Sequence, residues 1–63
     1  MSIEDKRRKN NMTQVQLAEE LGVSQSTVAG WETGGVYPRV DKLLAMAKLF
    51  NCTVDELIVA EKE

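Results

Sequence analysis

Thr13, Gln16, Gly22 and Ser24 mark two helix starts and one helix stop, with only Gly22 and Val23 between the elements. Thr13 followed three residues later by Gln16 fits a capping box, in which each residue satisfies a backbone or side-chain partner of the other. Ser24 is a preferred N-cap for the next helix. Two helices joined by so short a turn must meet at a sharp angle. Such a corner needs a residue free to take positive φ, and Gly22 supplies it. Val15, Leu17, Ala18 and Leu21 recur at helical spacing and predict the buried face of the first of these helices; Val28 and Trp31 predict that of the second. Ala18 is small enough to let the two approach closely.

The rest of the 63 residues extends the same pattern. No Gly/Ser-rich or Pro-rich linker divides the chain and no segment repeats, so residues 1–63 read as one small domain. Sustained alternation of apolar and polar residues, the strand signal, is absent. Residues 2–10 read as a short helix whose only aliphatic residue is Ile3, with Asn11 a plausible left-handed stop. After the loop TGGVYP, Pro38 introduces a helix over about 40–50, with Val40, Leu43, Leu44, Ala47 and Phe50 expected on its inner face. Thr53 and Glu56 repeat the capping-box spacing and open a last helix. Its Val54, Leu57, Ile58 and Val59 cannot all face inward, so Ile58 or Val59 is expected to be partly exposed and able to seed a small dimer contact. The expected fold class is all-α, with five short helices.

Several function classes find no support. There is no apolar run long enough to span a membrane, and the N-terminal MSIEDKRRKNN carries no apolar stretch of a secretory signal. Cys52 is the sole cysteine and histidine is absent, which leaves neither an intrachain disulfide nor a zinc-ligand set; Cys52 is expected to fill core space. No cofactor and no metal are expected, no catalytic constellation is present, and TGG is too short for a phosphate-binding loop. The expectation is a cytoplasmic, metal-free protein. Net charge is −2 but unevenly spread. Residues 6–48 carry seven basic groups against four acidic ones, while both ends are acidic. A local basic face is therefore possible, but tight non-specific phosphate binding, which needs many cations, is not expected.

Residues 14–33, QVQLAEELGVSQSTVAGWET, hold the functional signal. A plain helical bundle would also account for Gly22 and Ala18. It would more often place Glu or Lys where this chain has Gln14, Gln25, Ser26 and Thr27. Residues 25–35 contain no Lys or Arg, yet a helix that reads DNA need not be basic. In the major groove Gln suits adenine N6 and N7, and Ser suits several base edges. Helix N-termini and backbone N–H groups can hold phosphates. Arg39 falls at or near the start of the fourth helix, where a cation opposes the helix dipole and a small polar cap is preferred; a local rule broken without local gain points to function.

These residues, above all MTQVQLAEELGVSQSTV and LLAMAKLFNCTVDELI, resemble the helix-turn-helix of Cro/repressor (Xre-type) regulators, from Arg7 to Ile58. The resemblance implies a lambda-repressor-like domain whose recognition helix is QSTVAGW. It implies base contacts by Gln25 and Ser26, with Thr27 a weaker candidate. It implies a phosphate contact by Gln14, which would also brace Gln25, and a phosphate contact by Arg39 assisted by the backbone of Gly34 and Gly35. Arg7 and Glu32 match a structural, partly buried ion pair of the family. The chain departs from the pattern at Lys6, where Leu is common, and after the glycines, where a basic residue is common. It departs also at Gly30, which either deletes one DNA contact or lets backbone or DNA approach. The implied partner is double-stranded DNA, an operator bound by a two-fold homodimer, and the implied activity is transcriptional regulation, as a repressor. A protein-interaction or antitoxin-like module on the same frame is the rival expectation.

Overall fold

The computed structural model describes residues 2–58. Five helices follow one another: α1 Ile3–Lys9, α2 Gln14–Leu21, α3 Gln25–Thr33, α4 Val40–Phe50 and α5 Val54–Ile58, with no strand among the described residues. The fold is all-α.

Local chemistry sets the boundaries. At the start of α2 the Gln16 amide N–H donates to Thr13 Oγ1 at 3.0 Å, and the Thr13 N–H donates to Gln16 Oε1 at 2.8 Å. Thr53 and Glu56 repeat this exchange at 3.1 and 3.3 Å. Ser24 Oγ accepts the Thr27 N–H at 3.1 Å. The stops are equally local. Asn11, Gly22, Gly34 and Asn51 all take left-handed φ, between 55° and 88°. After three of them the chain donates back across the last turn: Met12 N–H to Arg7 O, Val23 N–H to Ala18 O and Cys52 N–H to Ala47 O, at 2.9–3.1 Å. These bonds satisfy carbonyls that a helix end otherwise leaves without partners.

The core is Ile3, Leu17, Ala18, Leu21, Val28, Trp31, Leu43, Met46, Phe50 and Leu57. It corrects the expected stripe on α4. Val40 and Leu44 are 70% and 55% exposed, and the fully buried residue is Met46. Leu43, Met46 and Phe50 share one line at helical spacing. Leu44 stands about 100° round from Leu43, and Val40 lies in the first turn. Val15, in the first turn of α2, is likewise exposed. On α5, Leu57 is buried and Val54 and Ile58 are half-buried; Val59 lies outside the described residues. Cys52 is half-buried against the core. Burial pushes its thiol pKa up, which disfavours the reactive thiolate.

Two long-range contacts close the fold. Ser2, buried, donates its N–H to Leu57 O at 2.9 Å and its hydroxyl to Glu56 O at 2.6 Å, so the chain start caps the end of α5. Lys42 Nζ donates to Leu21 O at 3.0 Å, placing a cation at the C-terminus of α2, where the helix dipole favours one.

Gly30 is held by its neighbour in the following loop. A Cβ built there would stand 2.9 Å from Val36 Cγ2 and 3.3 Å from Val36 Cβ. The loop is tied to this point, because the Val36 N–H donates to Gly30 O at 3.1 Å. The absence of a side chain thus serves a close intramolecular approach. Gly30→Ala should gain up to about 1 kcal/mol of helix propensity and lose about 1–3 kcal/mol to overpacking. The expected result is a lower urea midpoint, largely restored in the Gly30→Ala/Val36→Ala double variant. A midpoint above the parent's in the single variant would show that the loop yields freely.

Candidate nucleic-acid interface

The corner between α2 and α3 brings the two helix N-termini side by side and, with them, Gln14 and Gln25. Gln25 Nε2 donates to Gln14 Oε1 at 2.6 Å. Gln14 Nε2 donates in turn to Glu32 Oε1 at 2.8 Å. Glu32 also receives the Arg7 guanidinium, Nε to Oε2 at 2.6 Å and Nη2 to Oε1 at 3.2 Å. The third guanidinium nitrogen, Nη1, donates to Met12 O at 2.7 Å. Arg7, Glu32, Gln14 and Gln25 therefore form one hydrogen-bonded line from the interior to the surface. Its inner end is dry, with the side chains of Arg7 and Glu32 only 9% and 4% exposed. Its outer end, Gln25, is exposed. The hydrogen bond from Arg7 to Glu32 is the main cause of an Arg7 pKa raised above the ordinary guanidinium value.

The connection between Gln14 and Glu32 was not visible in the sequence. The two residues lie in separate motifs, and only the α2–α3 corner places them together.

The other candidates occupy distinct environments. Ser26 is exposed beside Gln25. Thr27 is half-buried, and its Oγ1 lies 2.9 Å from Ser24 Oγ, so its hydroxyl is engaged at the helix cap. Gly34, at φ 88°, and Gly35 are both exposed. Arg39 is exposed at the N-cap of α4 and makes no side-chain capping bond. Lys6 Nζ lies 3.7 Å from Glu56 Oε1, tying part of the basic cluster of α1 to α5. Arg8 pairs with Glu4 one turn away at 2.8 Å. Among the described residues no group of carboxylate, Cys or His side chains is arranged to hold a metal, and no helix is long and apolar enough to cross a membrane.

Chemically, the exposed end of this surface offers amides, a hydroxyl and helix N-terminal N–H groups, with Arg39 an exposed cation that makes no ion pair among the described residues. That is a set of hydrogen-bond donors and acceptors of the kind that pairs with base edges and phosphates.

Comparison with known proteins agrees with this architecture. A family model described as Helix-turn-helix matches residues 3–57. The chain is 44% identical over 52 residues to the HTH-type transcriptional activator BcrR of Enterococcus faecalis, covering 82% of this chain and 26% of that protein. It is 40% identical over 57 residues to the HTH-type transcriptional regulator AnsR of Bacillus subtilis, covering 90% of this chain and 49% of that one. It is 32% identical over 53 residues to the cryptic phage CTXphi transcriptional repressor RstR of Vibrio cholerae, covering 84% and 47%. The chain thus spans about a quarter to a half of the length of these relatives. With the match running from α1 through most of α5, and the two-residue corner between α2 and α3 in place, the chain belongs to the helix-turn-helix family of Cro/repressor (Xre) type.

Proposed function

We propose that this chain binds double-stranded DNA in a sequence-specific manner and regulates transcription, as a repressor acting in the compartment that holds the genome. The observation that carries this reading is the exposed Gln25 amide at the N-terminus of α3, braced by Gln14. A glutamine held at one end keeps its other atoms aimed outward at low entropic cost, as base reading requires. Gln25 and Ser26 contact base edges and Thr27 contributes less. Gln14, Arg39 and the backbone of Gly34 and Gly35 hold phosphates. The chain occupies its operator as a two-fold homodimer, with half-sites about 34–36 Å apart. Repression is the simplest outcome of occupying a promoter; the relatives named above include an activator and a repressor.

Selecting bound sites from a random oligonucleotide pool tests the reading; enrichment of one sequence with inverted half-sites is the expected result. Arg39 provides a second check. Arg39→Ala should weaken binding to all sequences about uniformly and reduce the slope of log affinity against log salt by about one, as for loss of one phosphate contact. An unchanged slope would remove Arg39 from the interface.

One observation favours a second reading, a protein-interaction module. Tyr37, Val40 and Leu44 are 67%, 70% and 55% exposed. A pool that yields no enriched sequence, with no retardation of random DNA at low salt, would support it.

A further inference from the structure

A glutamine amide is nearly symmetric in shape but not in chemistry, since its oxygen accepts hydrogen bonds and its nitrogen donates them. Free on a surface, Gln25 could turn either end toward a base. Here its orientation is dictated from inside. The Arg7 guanidinium carries donors only, so the Glu32 carboxylate facing it at 2.6 Å serves as an acceptor. The atom of Gln14 that stands 2.8 Å from Glu32 must then be its nitrogen. That leaves Gln14 Oε1 facing Gln25 at 2.6 Å, so the Gln25 atom meeting it must be a donor, Nε2. What remains for the groove is Gln25 Oε1 and one hydrogen on Nε2.

We propose that Glu32 sets the hydrogen-bond polarity of Gln25 through Gln14 and thereby makes Gln25 selective for adenine over guanine. The inference rests on the reading of Gln25 as a base-contacting residue. Adenine shows a donor at N6 and an acceptor at N7 in the major groove, matching the one acceptor and one donor that Gln25 has left. Guanine shows acceptors at both O6 and N7. Gln25 can satisfy one of them but sets its own oxygen against the other. Glu32 is a positioning residue in this scheme, eighteen residues from Gln14 along the chain but one hydrogen bond away in space.

The scheme makes a prediction that a purely structural ion pair does not. In Glu32→Gln the new amide turns its oxygen to Arg7 Nε, the closer donor at 2.6 Å, and its nitrogen to the position shared by Gln14 and, at 3.2 Å, by Arg7 Nη2, which gives up its longer bond. Gln14 must then present its oxygen inward and its nitrogen to Gln25. Gln25 accepts with its oxygen and offers both hydrogens of Nε2 to the groove, the pattern that suits guanine.

The experiment measures affinity for the selected site and for the same site with adenine replaced by guanine at the position where Gln25→Ala abolishes preference. Parent, Glu32→Gln, Gln14→Ala and the double variant are compared, with melting curves to show that each is folded. The parent is expected to favour adenine by about five- to 150-fold. In Glu32→Gln the ratio is expected to invert in favour of guanine. In Gln14→Ala it is expected to collapse toward parity, and Glu32→Gln should add nothing in that background, because its effect passes through Gln14. If Glu32→Gln does not fold, Arg7→Met/Glu32→Leu, which keeps Gln14 and removes the carboxylate that orients it, takes its place, and its adenine preference is expected to fall toward parity. An adenine preference that Gln25→Ala removes but Glu32→Gln and Gln14→Ala retain overturns the relay and leaves the base-reading role standing. A parent with no preference that depends on Gln25 overturns both.

Discussion

Glu32→Ala is expected to remove most of the folding stability of this chain. Truncation leaves the Arg7 guanidinium, whose side chain is only 9% exposed, with Met12 O as its remaining acceptor among the described residues. It also strips Gln14 Nε2 of its partner. Breaking a buried pair by removing one member costs about 3–5 kcal/mol, because the other charge stays buried without compensation. A core of this size seldom supplies more than about 3–5 kcal/mol in total. The two figures are of equal size, so the folded fraction should fall to half or less in the absence of DNA. A circular-dichroism melt and a urea titration would measure this, and a Glu32→Ala melt lying on the parent's would show that water replaces the carboxylate. The companion variant Arg7→Met/Glu32→Leu should recover stability, since replacing both charges by apolar groups leaves none unpaired. The pH dependence has a definite sign. Arg7 has a raised pKa in the folded chain, so its contribution is fully present below the ordinary guanidinium value and is lost only as pH rises beyond it. From the Arg7 side the pair should therefore hold across the neutral and alkaline range.

Gln25→Ala is expected to leave the fold intact and to change what the protein selects. Gln25 is exposed at the first position of α3, and its side chain touches Gln14 rather than the core. Alanine is a good helix former, and surface substitutions away from special features usually fall within about 0.5 kcal/mol. On the preferred site the loss should be about 1–3 kcal/mol, and preference should relax at one base position. This contrasts with the uniform weakening expected of Arg39→Ala. A binding series for both variants on the operator, on single-base changes and on random DNA, at several salt concentrations, separates the roles. If Gln25→Ala leaves every base preference intact, α3 does not dock in the groove by its N-terminus. If neither variant alters binding, this surface does not meet DNA and the interaction-module reading takes its place.

The sequence by itself determined where helices begin and end. Thr13 with Gln16, Ser24, and Thr53 with Glu56 form their caps within three residues, and Asn11 and Gly22 turn the chain with a left-handed residue. Such signals are legible because each partner lies within about a turn of the other. The same locality made the all-α class and the α2–α3 corner readable before any packing was known. What only the tertiary structure decided involves partners far apart in the chain. Met46 rather than Leu44 or Val40 enters the core, because the choice among neighbouring apolar positions on α4 depends on how that helix is rotated against the others. Gly30 is explained by Val36 folding back onto it, Lys42 by the end of α2 twenty-one residues away, and Ser2 by α5 fifty-four residues away. The line from Arg7 to Gln25 is the clearest case. Arg7 with Glu32 and Gln14 with Gln25 stood in the sequence as two unrelated pairs, and the bond from Gln14 to Glu32 across eighteen residues makes them one. No periodicity or cap encodes that bond; it exists because the angle at Gly22 lays the start of α2 across α3, within side-chain reach of both Gln25 and Glu32.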